Sequence, residues 1–159
     1  MKIGVVSDTH SLAIPKIVLE EFKKVDLIIH AGDFCSVDDL KIFSKIKEVK
    51  SVFGNMDELR LKKFMPEKLI FQVENISIGL YHGTGAPKNI LEFMKDKFAK
   101  DKVNVVVFGH SHQALKEEVD NVLYFNPGSP NDTVRAPYRS YGMLTIDKGK
   151  VTAEIVKIS

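Results

Sequence analysis

The amino-acid sequence predicts an α/β fold in which two β-sheets pack face to face with helices outside. Three features point there. Short apolar runs recur through the first two thirds of the chain, as in strands buried on both faces of a helix-covered sheet. Segments of helical periodicity separate the early runs. The last third changes to short alternating pieces joined by turn residues, the pattern of antiparallel strands.

The apolar runs are Ile3–Val6, Leu27–Ile29, Val49–Phe53, Ile76–Tyr81 and Val103–Phe108. Between the first two, Ile14, Ile17, Val18, Phe22 and Val25 recur at helical spacing, and Pro15 suits a first turn. Ser36, followed three residues later by Asp39, resembles a capping arrangement. The helix it opens turns Leu40, Phe43 and Ile46 inward, with Ile42 at the margin. A third helix is expected from Pro87, with Ile90, Leu91, Met94 and Phe98 on one side. Strand, helix, strand, helix, strand is the order of right-handed crossover units and so of a mostly parallel sheet. After Ser111, "VLYFNPGS", "SYGMLTID" and "KVTAEIVKI", with a turn at Asp147–Lys150, predict antiparallel strands.

With 159 residues, 44% of them apolar and 28% charged, the chain suits one soluble globular domain spanning residues 1–159. Its 23 basic and 21 acidic residues nearly cancel to +2 without a long block of one sign, so a broad nucleic-acid footprint is not indicated. The basic stretch Arg60–Lys63 reads as a solvated loop or helix face. Cys35 stands alone, which excludes an intrachain disulfide and a cysteine-based zinc site. No segment reads as a membrane span, and Asp8 follows the first apolar run too soon for a signal peptide, so a cytoplasmic location is expected.

Chemistry gathers where the runs end. The first leads into Asp8-Thr9-His10, the second into His30-Ala31-Gly32-Asp33 and the third into Gly54-Asn55-Met56-Asp57. The fourth leads into His82-Gly83 and the fifth into Gly109-His110-Ser111-His112. Carboxyl ends of strands are where open α/β sheets build their sites. Singly, each residue has a plain structural role available: Asp8 or Asp33 as a helix cap, Asn55 in a turn, His82 bonded to a core carbonyl. Jointly, Asp8, His10, Asp33, Asn55, His82, His110 and His112 form a candidate metal-ligand set, with glycines beside them that allow sharp turns. His30 is left as a support for its neighbours. Carboxylate, imidazole and amide oxygen suit manganese, iron, nickel, zinc or cobalt, and seven such groups are too many for one tetrahedral ion. Two ions sharing a carboxylate fit the number, and such pairs act on phosphorus by clamping the oxygens of an in-line displacement.

The ordered blocks Asp8-x-His10, Gly32-Asp33, Gly54-Asn55, His82 and Gly109-His110-x-His112 resemble the calcineurin-like metallophosphoesterase superfamily. The short length, "SDTH" near the start and "NPGS" at Asn126–Ser129 are similar to its small prokaryotic phosphodiesterase branch. The resemblance implies a four-layered αββα sandwich of two mixed sheets. It further implies two divalent ions, manganese foremost, with nickel, iron, zinc, cobalt or magnesium as alternatives. Asp8, His10, Asp33 and His112 would hold one; Asp33, Asn55, His82 and His110 would hold the other and serve catalysis, with Asp33 bridging. A hydroxide bridging the ions would attack the phosphorus of a small phosphodiester.

One position departs from that pattern. Many members of the superfamily carry His after the Asn; here it is Met56, which cannot donate a proton. Diesters and substrates with good leaving groups are therefore expected to be preferred over alkyl monoesters. Asp57 is the next polar group, with a structural or substitute role open to it. The loop Pro127–Tyr141 holds Arg135 and Arg139, either of which could meet a phosphate oxygen if the loop folds over the site. Two other functions compete: a protein-interaction scaffold, like the retromer coat subunit that resembles this branch and has lost part of the ligand set, and a nuclease, which would want a basic groove. Exposed edges of the C-terminal strands leave room for a homodimer or homotetramer.

Overall fold

Each central strand is apolar on both faces, and the two faces meet different neighbours. In the computed structural model, which describes residues 1–159, β1 (Lys2–Val6) turns Ile3 and Val5 toward a second sheet and Val6 toward helices. The same alternation runs through β2 (Leu27–His30), where Leu27 and Ile29 face the second sheet and Ile28 the helices. It recurs in that second sheet: Ile78 and Leu80 of β5 (Ile76–Tyr81) and Val105 and Val107 of β6 (Val105–Val107) point inward, while Tyr81 and Val106 point out. Period-two alternation of apolar residues on both faces is what a sheet buried on both sides requires.

Helices close the two outer faces. The helices α1 (Lys16–Phe22), α2 (Val37–Ser44) and α3 (Leu59–Phe64) bury Val18, Phe22, Phe43 and Leu61 against the first sheet. Ser36 caps α2, its hydroxyl accepting from the Asp39 N–H at 3.4 Å. On the other side α4 (Ile90–Phe98), entered through a 3-10 turn at Pro87–Asn89, buries Ile90, Met94 and Phe98. Each side relies on one strand glycine: a Cβ on Gly4 would lie 2.7 Å from the Phe22 ring, and one on Gly79 would lie 2.4 Å from the Phe98 ring. The four layers form an αββα sandwich.

The remaining strands are β3 (Val49–Ser51), β4 (Lys68–Val73), β7 (Leu115–Val119), β8 (Val122–Asn126), β9 (Arg139–Asp147) and β10 (Lys150–Ile158). The first sheet runs β10-β9-β1-β2-β3 and the second β4-β5-β6-β8-β7. In the first, β1, β2 and β3 are parallel while β9 and β10 are antiparallel. The five apolar runs therefore do not share one sheet: three sit in the first, two in the second. The antiparallel pairing expected after Ser111 holds between β7 and β8 and between β9 and β10, with one addition. β8 is antiparallel to β7 but parallel to β6, with Val105, Val106 and Val107 opposite Leu123, Tyr124 and Phe125. The physical reason is that the chain leaves β6 through the site loop and forms the β7–β8 hairpin, whose return strand fills the inner position beside β6. β4 and β7 were not expected as strands, and α3 takes in the basic stretch Arg60–Lys63. No helix is long and apolar enough to cross a membrane.

Candidate metal centre

The ends of β1, β2, β3 and β6 line one cleft of about 580 Å³, with His82 at the end of β5 buried beside Asp8 and Asp33, and the chain reaches the cleft through strained turns. Asp8, His10, Asp33, His110 and His112 all adopt left-handed backbone conformations, with φ of 56°, 53°, 58°, 67° and 58°. Such conformations are uncommon outside glycine, and persist where surrounding structure compels them. Here the compulsion is continued backbone pairing beyond the strands. The Asp8 N–H donates to the Gly32 carbonyl at 3.0 Å, that of His10 to Asp33 at 3.0 Å and that of Gly109 to His82 at 2.9 Å. Gly54 and Gly109 supply room: a Cβ on Gly54 would lie 2.1 Å from Asp33 Oδ1, and one on Gly109 would lie 2.7 Å from Asp8 Oδ2.

The two carboxylates are each half satisfied. Asp8 Oδ2 accepts from the Ser7 hydroxyl at 2.7 Å and from the His110 N–H at 3.1 Å. Asp8 Oδ1 is buried with no hydrogen-bond partner and lies 3.4 Å from His112 Nε2 and 3.8 Å from both His10 Nε2 and His82 Nε2. Asp33 Oδ1 accepts from the Met56 N–H at 2.8 Å, leaving Oδ2 at 3.3 Å from His82 Nε2 and 3.9 Å from His10 Nε2. His10 and His112 bring their Nε2 atoms within 3.0 Å of each other. Two donor groups result, Asp8, His10, His112 and Asp8, Asp33, His82, each with its ligand atoms within 4.8 Å of one another.

Asn55 and His110 adjoin these groups without joining them. Asn55 Oδ1 is 3.3 Å from His110 Nδ1, and the His110 ring stands edge-on to His82 with centroids 5.4 Å apart. The other His110 nitrogen donates to the Gly85 carbonyl at 2.9 Å. His30 stands behind the cleft, fully buried, stacked on Phe34 at 3.4 Å between ring centroids. Its Nδ1 accepts the Gly32 N–H at 3.2 Å, so Nε2 carries the proton toward Thr9 Oγ1 at 3.1 Å. Burial holds the His30 pKa well below its ordinary value and keeps the ring neutral.

Charge in the cleft is set by burial working against close partners. Burial pushes the His82 imidazolium down, but the Asp33 and Asp8 carboxylates outweigh it and raise its pKa to about 9. Burial likewise raises the Asp33 carboxyl, while His82 and the Met56 N–H bring it below the usual carboxylate range. Cys35 Sγ lies 3.4 Å from His10 Nδ1, on the outer side of that ring. Burial and the nearby Asp33 and Asp57 push its thiol up to about 11, so it stays protonated.

Several supports show what they do only through their hydrogen bonds. Asp57 is structural: buried, it accepts from the N–H groups of Asp33 at 3.0 Å, Cys35 at 2.7 Å and Gly54 at 2.7 Å, tying the loops after β2 and β3 together. Within "NPGS", Asn126 donates to the Gly109 carbonyl at 2.9 Å and Ser129 to the Asp8 carbonyl at 2.8 Å, so the motif braces both histidine-bearing loops. Asp132, unread in the sequence, contacts His112 Nδ1 through Oδ2. Arg135 lines the cleft; Arg139 does not, and donates to the Ser159 carbonyl at 3.2 Å.

Residues 1–149 match the model of the calcineurin-like phosphoesterase superfamily domain. The chain belongs to this superfamily. It is 35% identical over 161 residues to a probable metallophosphoesterase of Methanothermobacter thermautotrophicus, covering 99% of this chain and 92% of the relative. A phosphodiesterase of Methanocaldococcus jannaschii is 33% identical over 144 residues, covering 80% and 83% of the two chains. Among solved structures, an archaeal phosphodiesterase superposes with a TM-score of 0.79 at 26% identity, over 98% of this chain and 100% of the other. Wild-type vacuolar protein sorting 29 of Entamoeba histolytica in complex with zinc superposes with a TM-score of 0.76 at 25% identity, over 99% of each chain. This calcineurin-like fold thus presents a donor cluster suited to divalent metal at its strand ends.

Two outcomes follow from the geometry. Asp57→Ala orphans three N–H donors, two of them buried, and is expected to destabilise the chain by at least ~2 kcal/mol in denaturant unfolding. In the metal-free protein His82 holds a proton up to pH about 9, so a divalent ion that takes His82 must displace it. Calorimetry in buffers of different ionisation enthalpy should show proton release on manganese binding near neutral pH, with affinity rising as pH rises and levelling off above that pKa.

Proposed function

We propose that this calcineurin-like chain is a two-metal phosphodiesterase acting on small diesters. One observation carries the reading: Asp8 Oδ1 is buried without a hydrogen-bond partner amid convergent carboxylate and imidazole groups. A buried polar atom left unpaired is costly, and a cation placed beside it would complete it. The donor set fits a divalent ion of the first transition row, since it offers nitrogen and oxygen while the thiol stands behind His10. Asp8, His10, Asp33 and His112 would hold one ion, and Asp33, Asn55, His82 and His110 the second, with manganese the first choice. Two such ions would supply Lewis acidity and a water acidic enough to ionise near neutral pH.

The chain's own residues do the remaining work. His82 donates Nδ1–H to the Ala31 carbonyl at 2.7 Å, which fixes the ring and aims Nε2 at the two carboxylates. The Met56 N–H and the Ser7 hydroxyl hold Asp33 and Asp8 in a single orientation, so little reorganisation accompanies binding. Arg135 supplies the cleft's guanidinium for a phosphate oxygen. Leu12, Met56 and Val134 line the same cleft while 55%, 58% and 89% exposed, a rim suited to an apolar or flat ester arm. Met56 offers no proton to a leaving group, which favours alcohols that depart as stable anions.

Metal-stripped protein reloaded with manganese, nickel, zinc or magnesium should hydrolyse an aryl phosphodiester much faster than the matching monoester. Asp33→Ala should cut that turnover by roughly two to three orders of magnitude. Comparable monoester turnover would retain the metal chemistry and overturn the role given to Met56; two bound ions without turnover would favour a binding scaffold. Arg135→Ala should cost about 1.5–3 kcal/mol, or about 10–100-fold in kcat/KM and mostly through KM, with metal content unchanged.

A further inference from the structure

The loop between β8 and β9 touches the donor cluster at one side chain. Asp132 is only 11% exposed in its side chain, and its Oδ2 meets Nδ1 of His112, the ring nitrogen turned away from Asp8 and His10. Its other oxygen, Oδ1, accepts from the N–H groups of Val134 at 2.7 Å and Arg135 at 2.9 Å. The loop is itself pinned to the first strand's turn. The Asp132 N–H donates to Ser129 Oγ at 3.1 Å, Ser129 Oγ donates to the Asp8 carbonyl at 2.8 Å, and Asn131 Nδ2 donates to the Thr9 carbonyl at 2.8 Å. Both carboxylate oxygens are thus engaged, one by backbone and one by the imidazole.

We propose that Asp132 is a positioning residue for the metal centre: its carboxylate holds the proton of His112 on Nδ1 and so presents Nε2 as a free lone pair to the ion. The inference rests on the phosphodiesterase reading above and deepens it by naming what sets the His112 tautomer. Neutral imidazole carries one N–H, and whichever nitrogen donates leaves the other to bind metal. A carboxylate on the far nitrogen fixes the ring's orientation and raises its basicity, and loss of such a partner typically costs 10–100-fold in metal affinity. The same side chain carries the backbone of Arg135, so the metal ligand and the cleft's guanidinium share one anchor.

Asp132→Asn separates this role from simple loop support. The two backbone N–H groups need an acceptor, so the amide oxygen takes the place of Oδ1 and the NH2 group faces His112 Nδ1. Nδ1 must then accept, the proton moves to Nε2, and that nitrogen is blocked. Manganese titration of the variant should show one of two ions bound at least ~10-fold more weakly, with thermal stability of the chelated protein unchanged. Nitrogen-detected NMR of the metal-free protein in alkaline buffer should show the Nδ1–H form of His112 in the wild type and the Nε2–H form in the variant. Asn131→Ala, which loosens the loop yet leaves the carboxylate, should bind both ions as the wild type does. The proposal is overturned if Asp132→Asn keeps wild-type affinity for both ions, or if Asn131→Ala weakens binding equally. Should the Asn variant fail to fold, an Nε2–H tautomer in the wild type overturns it unaided. A wild type that binds no divalent ion would sink the phosphodiesterase reading, while the tautomer still decides what Asp132 does.

Discussion

The buried carboxylate of Asp8 is the constraint around which this molecule is arranged. One of its oxygens is satisfied by Ser7 and the His110 backbone, the other by nothing in the chain. A buried carboxylate left half unpaired is costly, and stability elsewhere must carry it. Here the carrying is done by three apolar interfaces, one between the sheets and one beneath each helical layer. Because the sheets stack face to face, ligands from β1 and β2 in one can meet ligands from β5 and β6 in the other.

Placing those ligands demands backbone conformations the chain would not choose. Five of the candidate ligand residues sit at positive φ, and each is Asp or His, types that enter this region more readily than bulky or branched residues. The strain is locked by hydrogen bonds between neighbouring loops and by Asp57, whose carboxylate gathers three N–H groups from two of them. Pre-organisation of this sort keeps the donors in place before any ion or substrate arrives, and reorganisation at the moment of reaction is small. Arg135 and the exposed apolar side chains of Leu12, Met56 and Val134 line the cleft beyond them.

Much of this was legible in the sequence because burial and chemistry leave different marks. Strands covered on both faces must be apolar throughout, so β1, β2, β5 and β6 stand out, and the polar residues that end them stand out by contrast. β4 and β7 escaped notice because each lies at a sheet edge and mixes exposed with half-buried residues, including charged ones. Asp132 escaped as a ligand support, and the role of Asp57 stayed open between structural and substitute, because an Asp in a loop reads as a turn residue until its hydrogen-bond partners are known.

The sequence by itself determined the layer type and the inner faces of α2 and α4 and singled out the candidate donors, since each depends on local periodicity or on side-chain chemistry, whereas Ile17, read with the apolar set of α1, is 48% exposed. Only the tertiary structure decided that the five apolar runs divide between two sheets, that β8 lies parallel to β6, and that Arg135 rather than Arg139 faces the cleft. Those outcomes turn on pairings between residues far apart in the chain, and long-range pairing is set by which faces can bury each other, a property that no single segment carries.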